Sequence, residues 1–179
     1  MLDEIIIAGF GGQGILLMGR LIAHAGMLEG KHVAWMPSYG PEMRGGTANC
    51  TVIISSEEVA SPVVPNPISL IAMNLPSLDK FEPLVEKGGT IIVNQSLISR
   101  DIYREDVQVV KVPANDIANE LGNLRVANMV ALGSYIAKSK SVKMQTVFEA
   151  LEQTLGKSSE KIIELNKEAL RRGENIITG

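Results

Sequence analysis

Few side chains in this sequence could do chemistry, and none stands in a reactive setting. Cys50 is the one cysteine in 179 residues. It cannot form an internal disulfide or supply a zinc or iron–sulfur site alone. It has no neighbouring base and reads as a small core residue. His24 and His32 have neither metal-ligand spacing nor a cysteine or acid partner, and belong at the surface. There is no Ser–His–acid set and no recognisable carboxylate pair, so no catalytic residue and no metal site are expected. What remains is backbone chemistry at Gly9-Phe10-Gly11-Gly12-Gln13-Gly14, where glycines 9, 11 and 14 have the Gly-x-Gly-x-x-Gly spacing and Gly12 is added. In a strand–turn–helix the first glycine permits the reversal and the second clears room for a ligand or another backbone. The third lets helix and strand pack closely. The start of that helix presents unpaired N–H groups and a positive dipole end to a phosphate or carboxylate.

A dinucleotide site would normally carry Asp or Glu at the end of the second strand, to hold ribose hydroxyls. Here that strand ends in Trp35-Met36-Pro37-Ser38, and no lysine follows the glycines as in a Walker loop. A packing or docking turn is therefore favoured over NAD or FAD, with an anion site as the weaker reading. A second unusual stretch follows at once: Ser38, Tyr39, Gly40, Pro41, Glu42, Met43, Arg44, Gly45 and Gly46. The guanidinium fork of Arg44 could hold a carboxylate or phosphate, with Glu42 as its local partner. An exposed loop with an incidental charge pair is the bland alternative; leaving Tyr39 and Met43 solvated favours a partner contact. Asn74, Asn94, Gln95 and Asn128 are expected at the same edge, as amides that cap and fix loops. Met18, Met36, Met43 and Met73 could line adaptable packing surfaces.

These features need a scaffold, and hydrophobic periodicity supplies one. Leu2 to Ala8 reads as a buried strand, Gln13 to Glu29 as a helix stopped at Gly30, and Lys31 to Met36 as a strand completing a βαβ unit. Alternation over Thr47 to Ser55 marks an antiparallel or edge strand. Strands at 68–73, 90–93 and 107–112 alternate with helices at 76–87 and 115–121. Helices at 127–137, 144–155 and from Ser158 or Ser159 to Arg172 make the last third helical. The fold class expected is α/β: a single Rossmann-like three-layer domain spanning 1–179, mostly parallel, with that one exceptional strand.

Composition narrows the function. Lys and Arg number 17 against 20 Asp and Glu, with no basic stripe, which argues against nucleic acid. No apolar run reaches the roughly 18 residues needed to span a membrane, and no leader pattern is visible, so a cytoplasmic protein is expected.

Gly9-Phe10-Gly11-Gly12-Gln13-Gly14 and Pro41-Glu42-Met43-Arg44-Gly45-Gly46 together resemble the gamma subunit of 2-oxoacid:ferredoxin oxidoreductases. Ile71-Ala72-Met73-Asn74 and Asn128-Met129-Val130-Ala131-Leu132-Gly133 extend that resemblance over about the whole chain. The wording Tyr-Gly-Pro-Glu-Met-Arg-Gly-Gly is most similar to members acting on 2-oxoglutarate or 2-oxoisovalerate. The resemblance implies a complex that oxidatively decarboxylates a 2-oxoacid to an acyl-coenzyme A and reduces ferredoxin. Thiamine diphosphate, Mg, [4Fe-4S] clusters and coenzyme A would be bound on alpha, beta and delta (or ferredoxin-like) subunits, and none by this chain alone. This chain would shape and assemble the complex, touching ferredoxin only indirectly; alone, it could pair with a second copy through surfaces meant for partners. Its contacts would be the glycine turn and the partner-facing Ser38, Tyr39, Pro41, Glu42, Met43, Arg44, Gly45, Gly46, Asn74 and Asn128. The alternative is a stand-alone domain binding a dinucleotide or an anionic metabolite.

Overall fold

The computed structural model describes residues 1–38, 47–156 and 158–179. Its elements are β1 (Leu2–Phe10), α1 (Ile15–Leu28), β2 (His32–Ser38), β3 (Thr47–Ser55), β4 (Ser69–Ala72) and α2 (Leu75–Phe81). There follow β5 (Thr90–Asn94), β6 (Gln108–Val112), α3 (Ala114–Glu120), α4 (Ala127–Ser139), α5 (Met144–Leu155) and α6 (Glu160–Thr178). The expected α/β domain is therefore present, with one sheet in the order β2-β3-β1-β4-β5-β6.

β1, β4, β5 and β6 are mutually parallel, whereas β3 is antiparallel to both of its neighbours. The antiparallel reading of 47–55 holds, but this strand is not an edge. It buries Cys50 and residues 52–55 and pairs on both sides, while the edge falls to the more exposed β2. Pro37 sits on β2, where a missing N–H costs no ladder bond on the open side. The expected βαβ unit is consequently split. β1 and β2 point the same way, but β3 lies between them.

Side-chain alternation divides the core into two layers. Ile5, Ile7, Cys50, Val52, Ile54, Ile71 and Ile92 face the cluster built with α1 and α4. Ile6, Ala8, Leu70, Ala72, Ile91 and Val93 face Leu78 and Phe81 of α2. The expected helix at 76–87 ends early, because a one-turn 3₁₀ segment takes over at Glu82–Leu84 with Pro83 inside it.

α6 runs to Thr178, past the expected end at Arg172, and Gly173 lies within it. A Cβ at Gly173 would strike the carbonyl oxygen of Val130, and one at Gly133 that of Leu170. The two helices thus meet backbone to backbone, and the Ser134 hydroxyl donates to Gly173 O at 2.8 Å. Ser159 occupies the N-cap position of α6, although its side chain makes no capping bond.

Candidate functional site

The glycine turn follows β1 at the carboxyl edge of the parallel strands. Its side-chain support comes from Gln13. The Gln13 amide oxygen accepts the Phe10 N–H at 2.6 Å, and its Nε2 donates to the carbonyl of Met73 at 3.4 Å. One residue thus closes the turn on itself and ties it to the end of β4. Gly9 is enclosed: an added Cβ would come within 2.6 Å of Gln13 Oε1, 2.7 Å of Ile15 and 2.9 Å of Met73. Gly14 takes the left-handed conformation, φ 74° and ψ 25°, immediately before α1. Its missing Cβ is where the Asn128 amide packs. Gly12 is also left-handed, at φ 94°, but nothing lies within 4 Å of where its Cβ would be. The turn therefore has a clamped inner side and an open outer one.

Three of the four amides expected here gather at the edge. Asn94 is fully buried at the end of β5 and donates to Met73 O at 3.3 Å and to Asn115 Oδ1 at 2.8 Å. Asn128, buried at the start of α4, reaches the carbonyl of Gly14 at 3.4 Å. Asn74 caps α2 by accepting the Ser77 N–H at 2.9 Å. Gln95 departs from the expectation: it turns outward beside Arg100 and Lys111, away from this group. Met73 and Met18 are buried in the core, whereas Met36 is exposed on the edge strand.

Gly12, Gln13, Met73, Asn115, Leu124, Arg125 and Asn128 line a cavity of about 170 Å³. Ligand pockets run from about 300 to 1,000 Å³, so this cavity by itself is smaller than such a site. The split sheet removes the other requirement, since β2 is not next to β1 and could not bring a ribose-binding acid beside the turn. Asn115, Leu124 and Arg125 were not legible as part of the site; they meet it only because α3 and the turn before α4 fold over the ends of β4 and β5.

The expected partner loop falls largely outside the described residues: Tyr39, Pro41, Glu42, Met43, Arg44, Gly45 and Gly46 all lie there. Its two flanks are placed. β2 ends at Ser38, which is exposed and pairs with Asn49, and Thr47 at the start of β3 pairs with Phe10 of the glycine turn.

Several other titratable groups serve the fold. Cys50 is buried under α1, and burial pushes its thiol up to about 11, which removes the thiolate needed for nucleophilic attack or metal ligation. His24 is half-buried and His32 exposed. Arg100 joins Asp79 at 2.6 Å and buried Glu82 at 2.7 Å, fastening the charged 100–106 segment to α2. At the opposite end of the sheet, buried Asp3 accepts the Tyr135 hydroxyl at 2.6 Å and the Ser69 hydroxyl at 3.0 Å. Burial drives its carboxyl above the ordinary 3.8. No group of three or more His, Cys, Asp or Glu side chains that could hold a metal occurs among the described residues. Among the described residues, no helix is long and apolar enough to cross a membrane.

Known proteins are similar to this chain. The ketoisovalerate oxidoreductase subunit VorA of Methanothermobacter thermautotrophicus is 44% identical over 168 residues, 93% of this chain but 35% of that protein. The chain thus spans about a third of that relative's length. The gamma subunit of keto/oxoacid ferredoxin oxidoreductase from Geobacter sulfurreducens superposes with a TM-score of 0.83 at 30% identity, covering 98% of each chain. A 2-oxoglutarate:ferredoxin oxidoreductase from Magnetococcus marinus, solved with 2-oxoglutarate, coenzyme A and succinyl-CoA, matches with a TM-score of 0.92 at 26% identity. That match covers 99% of this chain and 31% of the other. The model of the family described as pyruvate ferredoxin/flavodoxin oxidoreductase matches residues 4–176, and the chain belongs to that family.

Proposed function

We propose that this chain is the gamma component of a 2-oxoacid:ferredoxin oxidoreductase, and that it assembles and shapes the complex while other subunits carry the chemistry. The substrate is 2-oxoglutarate or a branched-chain 2-oxoacid, oxidised to an acyl-coenzyme A with reduction of ferredoxin. Thiamine diphosphate, Mg and [4Fe-4S] clusters reside on the alpha, beta and delta subunits. The lone thiol of this chain is buried and protonated, which does not suit a cluster ligand.

The observation that carries the reading is the construction of the glycine turn. Gln13 and Asn128 fix its inner side by neutral hydrogen bonds, and Asn94 holds the Met73 carbonyl that Gln13 also meets, while Gly12 and Ser38, just before the 39–46 loop, are exposed. Neutral amides can hold a surface rigid, but they neither attack nor transfer protons at neutral pH. A rigid, outward-facing, chemically inert edge suits docking, and we assign it to the rim of the thiamine or coenzyme A pocket formed by the partner subunits. The complex is cytoplasmic.

Co-expression of the chain with the other subunits tests this. Gly11→Val and Arg44→Ala should impair assembly or turnover. Normal assembly and turnover by both variants would sink the proposal.

A further inference from the structure

The sheet is covered unevenly. On the face that carries α2, that helix packs against β1 and β4. Beyond it, among the described residues, the segment after Ser55 folds back over the strand ends. The register brings Glu4 beside Ile53 and Ala34, and Leu2 beside Ser55, on this same face. Between strands and segment runs a groove of about 400 Å³. Leu2, Ile53, Val59 and Val63 form its apolar lining, and Glu4, Glu57 and Glu58 stand among them.

An antiparallel sheet can present a polar face to water. That accounts for Asn49, Thr51 and Ser55 on this side of β3. It does not account for Leu2 at 51% and Val63 at 66% exposure around one concavity. The acids add a second demand. None of the three belongs to an ion pair among the described residues. Glu4 lies partly buried near Glu86 and Asp3, and burial with these like charges raises its carboxyl above the ordinary 4.5. Met1 lines the groove as well, and its ammonium donates to Ser56 Oγ at 2.8 Å, so three carboxylates face one cation while the apolar side chains stay uncovered.

We propose that this groove seats a segment of another subunit of the same assembly, in which a large apolar side chain is flanked by Lys or Arg. Charge complementarity selects this occupant over a second copy of the chain, because a two-fold pairing would set Glu57 and Glu58 of one copy against the acids of the other. The inference rests on the gamma-component reading, since that reading supplies the other subunit.

The test is binding of the purified chain to its purified partner subunits, measured by biolayer interferometry for wild type, for Glu57→Lys/Glu58→Lys and for Val63→Asp. These positions are exposed, so melting temperatures should not change. Each variant should bind at least tenfold more weakly. Wild-type binding should weaken with added NaCl, and the charge-reversed variant should lose that dependence. A photo-crosslinking residue at position 63 should capture a partner peptide with Lys or Arg close to an apolar residue. Variants that bind within twofold of wild type, or crosslinks formed only to a second copy of this chain, would overturn the groove proposal alone. A wild-type chain that binds no partner subunit would overturn the gamma reading and the groove with it.

Discussion

Gly14 and Asn128 offer the sharpest test of how the turn is built. Replacing Gly14 by Ala has two separable costs. The backbone sits at φ 74° and ψ 25°, where an L-residue is disfavoured by roughly 1–2 kcal/mol. The new Cβ also occupies the space of the Asn128 amide, which is 4% exposed and must leave. Displacing it forfeits its bond to Gly14 O and strands a buried amide, about 1–3 kcal/mol more. Gly14→Ala should therefore cost roughly 2–5 kcal/mol. Asn128→Ala should cost less, about 1 kcal/mol, because Gly14 O still accepts the Met18 N–H at 3.1 Å. In the double variant the collision is gone and only the backbone strain and the loss of the Asn128 bond persist, so the total should fall below the sum of the single effects by about 1–3 kcal/mol. Urea unfolding followed by far-UV circular dichroism measures all three. An additive cycle, or a Gly14→Ala cost below about 1 kcal/mol, would refute the contact and the strain assigned to this position.

Other consequences are equally direct. Gly133→Ala drives a methyl into the Leu170 carbonyl, which the helix backbone cannot withdraw, and should cost about 3 kcal/mol or more; an unchanged melting temperature would mean that α4 and α6 do not touch there. Arg100→Met leaves the buried Glu82 carboxylate without its cation and should destabilise by about 3–5 kcal/mol in the same melts, whereas a loss below 1 kcal/mol would make the pair incidental. Asp3 has a folded-state pKa raised above 3.8, so the folded chain keeps a proton that the unfolded chain has released. Its contribution to stability is full below pH 3.8 and is lost as pH rises through the folded value. Wild type should therefore lose stability relative to Asp3→Asn on going from pH 4 to pH 8, and a pH-independent difference between the two contradicts this.

Local chemistry in the chain announced itself, and long-range adjacency did not. The turn at Gly9–Gly14 is legible because a strand must end and a helix begin within six residues, which only glycines permit. The alternation at 47–55 signals an antiparallel strand, but whether it pairs on one side or two depends on β1 and β2, which periodicity within the strand cannot register. For the same reason the sequence points to the end of β2 for a ribose-binding acid, although β3 and not β2 lies beside β1. Asn74 as a cap and Cys50 as core follow from local pattern, and the structure agrees. The Asp3–Tyr135 bond joins residues 132 apart, and Asn94 meets Asn115 only through the packing of α3, so neither could be seen in sequence. Gly133 and Gly173 left a faint sign, as glycines inside helical patterns, whose meaning appears only where the two helices cross.

The measurement closest to the central proposal is 2-oxoacid- and coenzyme A-dependent ferredoxin reduction by the purified subunits, assayed with and without this chain. The isolated chain should be inactive. The remaining subunits should be impaired without it and restored when it is added back. Full activity in its absence would contradict an assembling role, and turnover by the isolated chain would contradict the claim that the chemistry lies elsewhere.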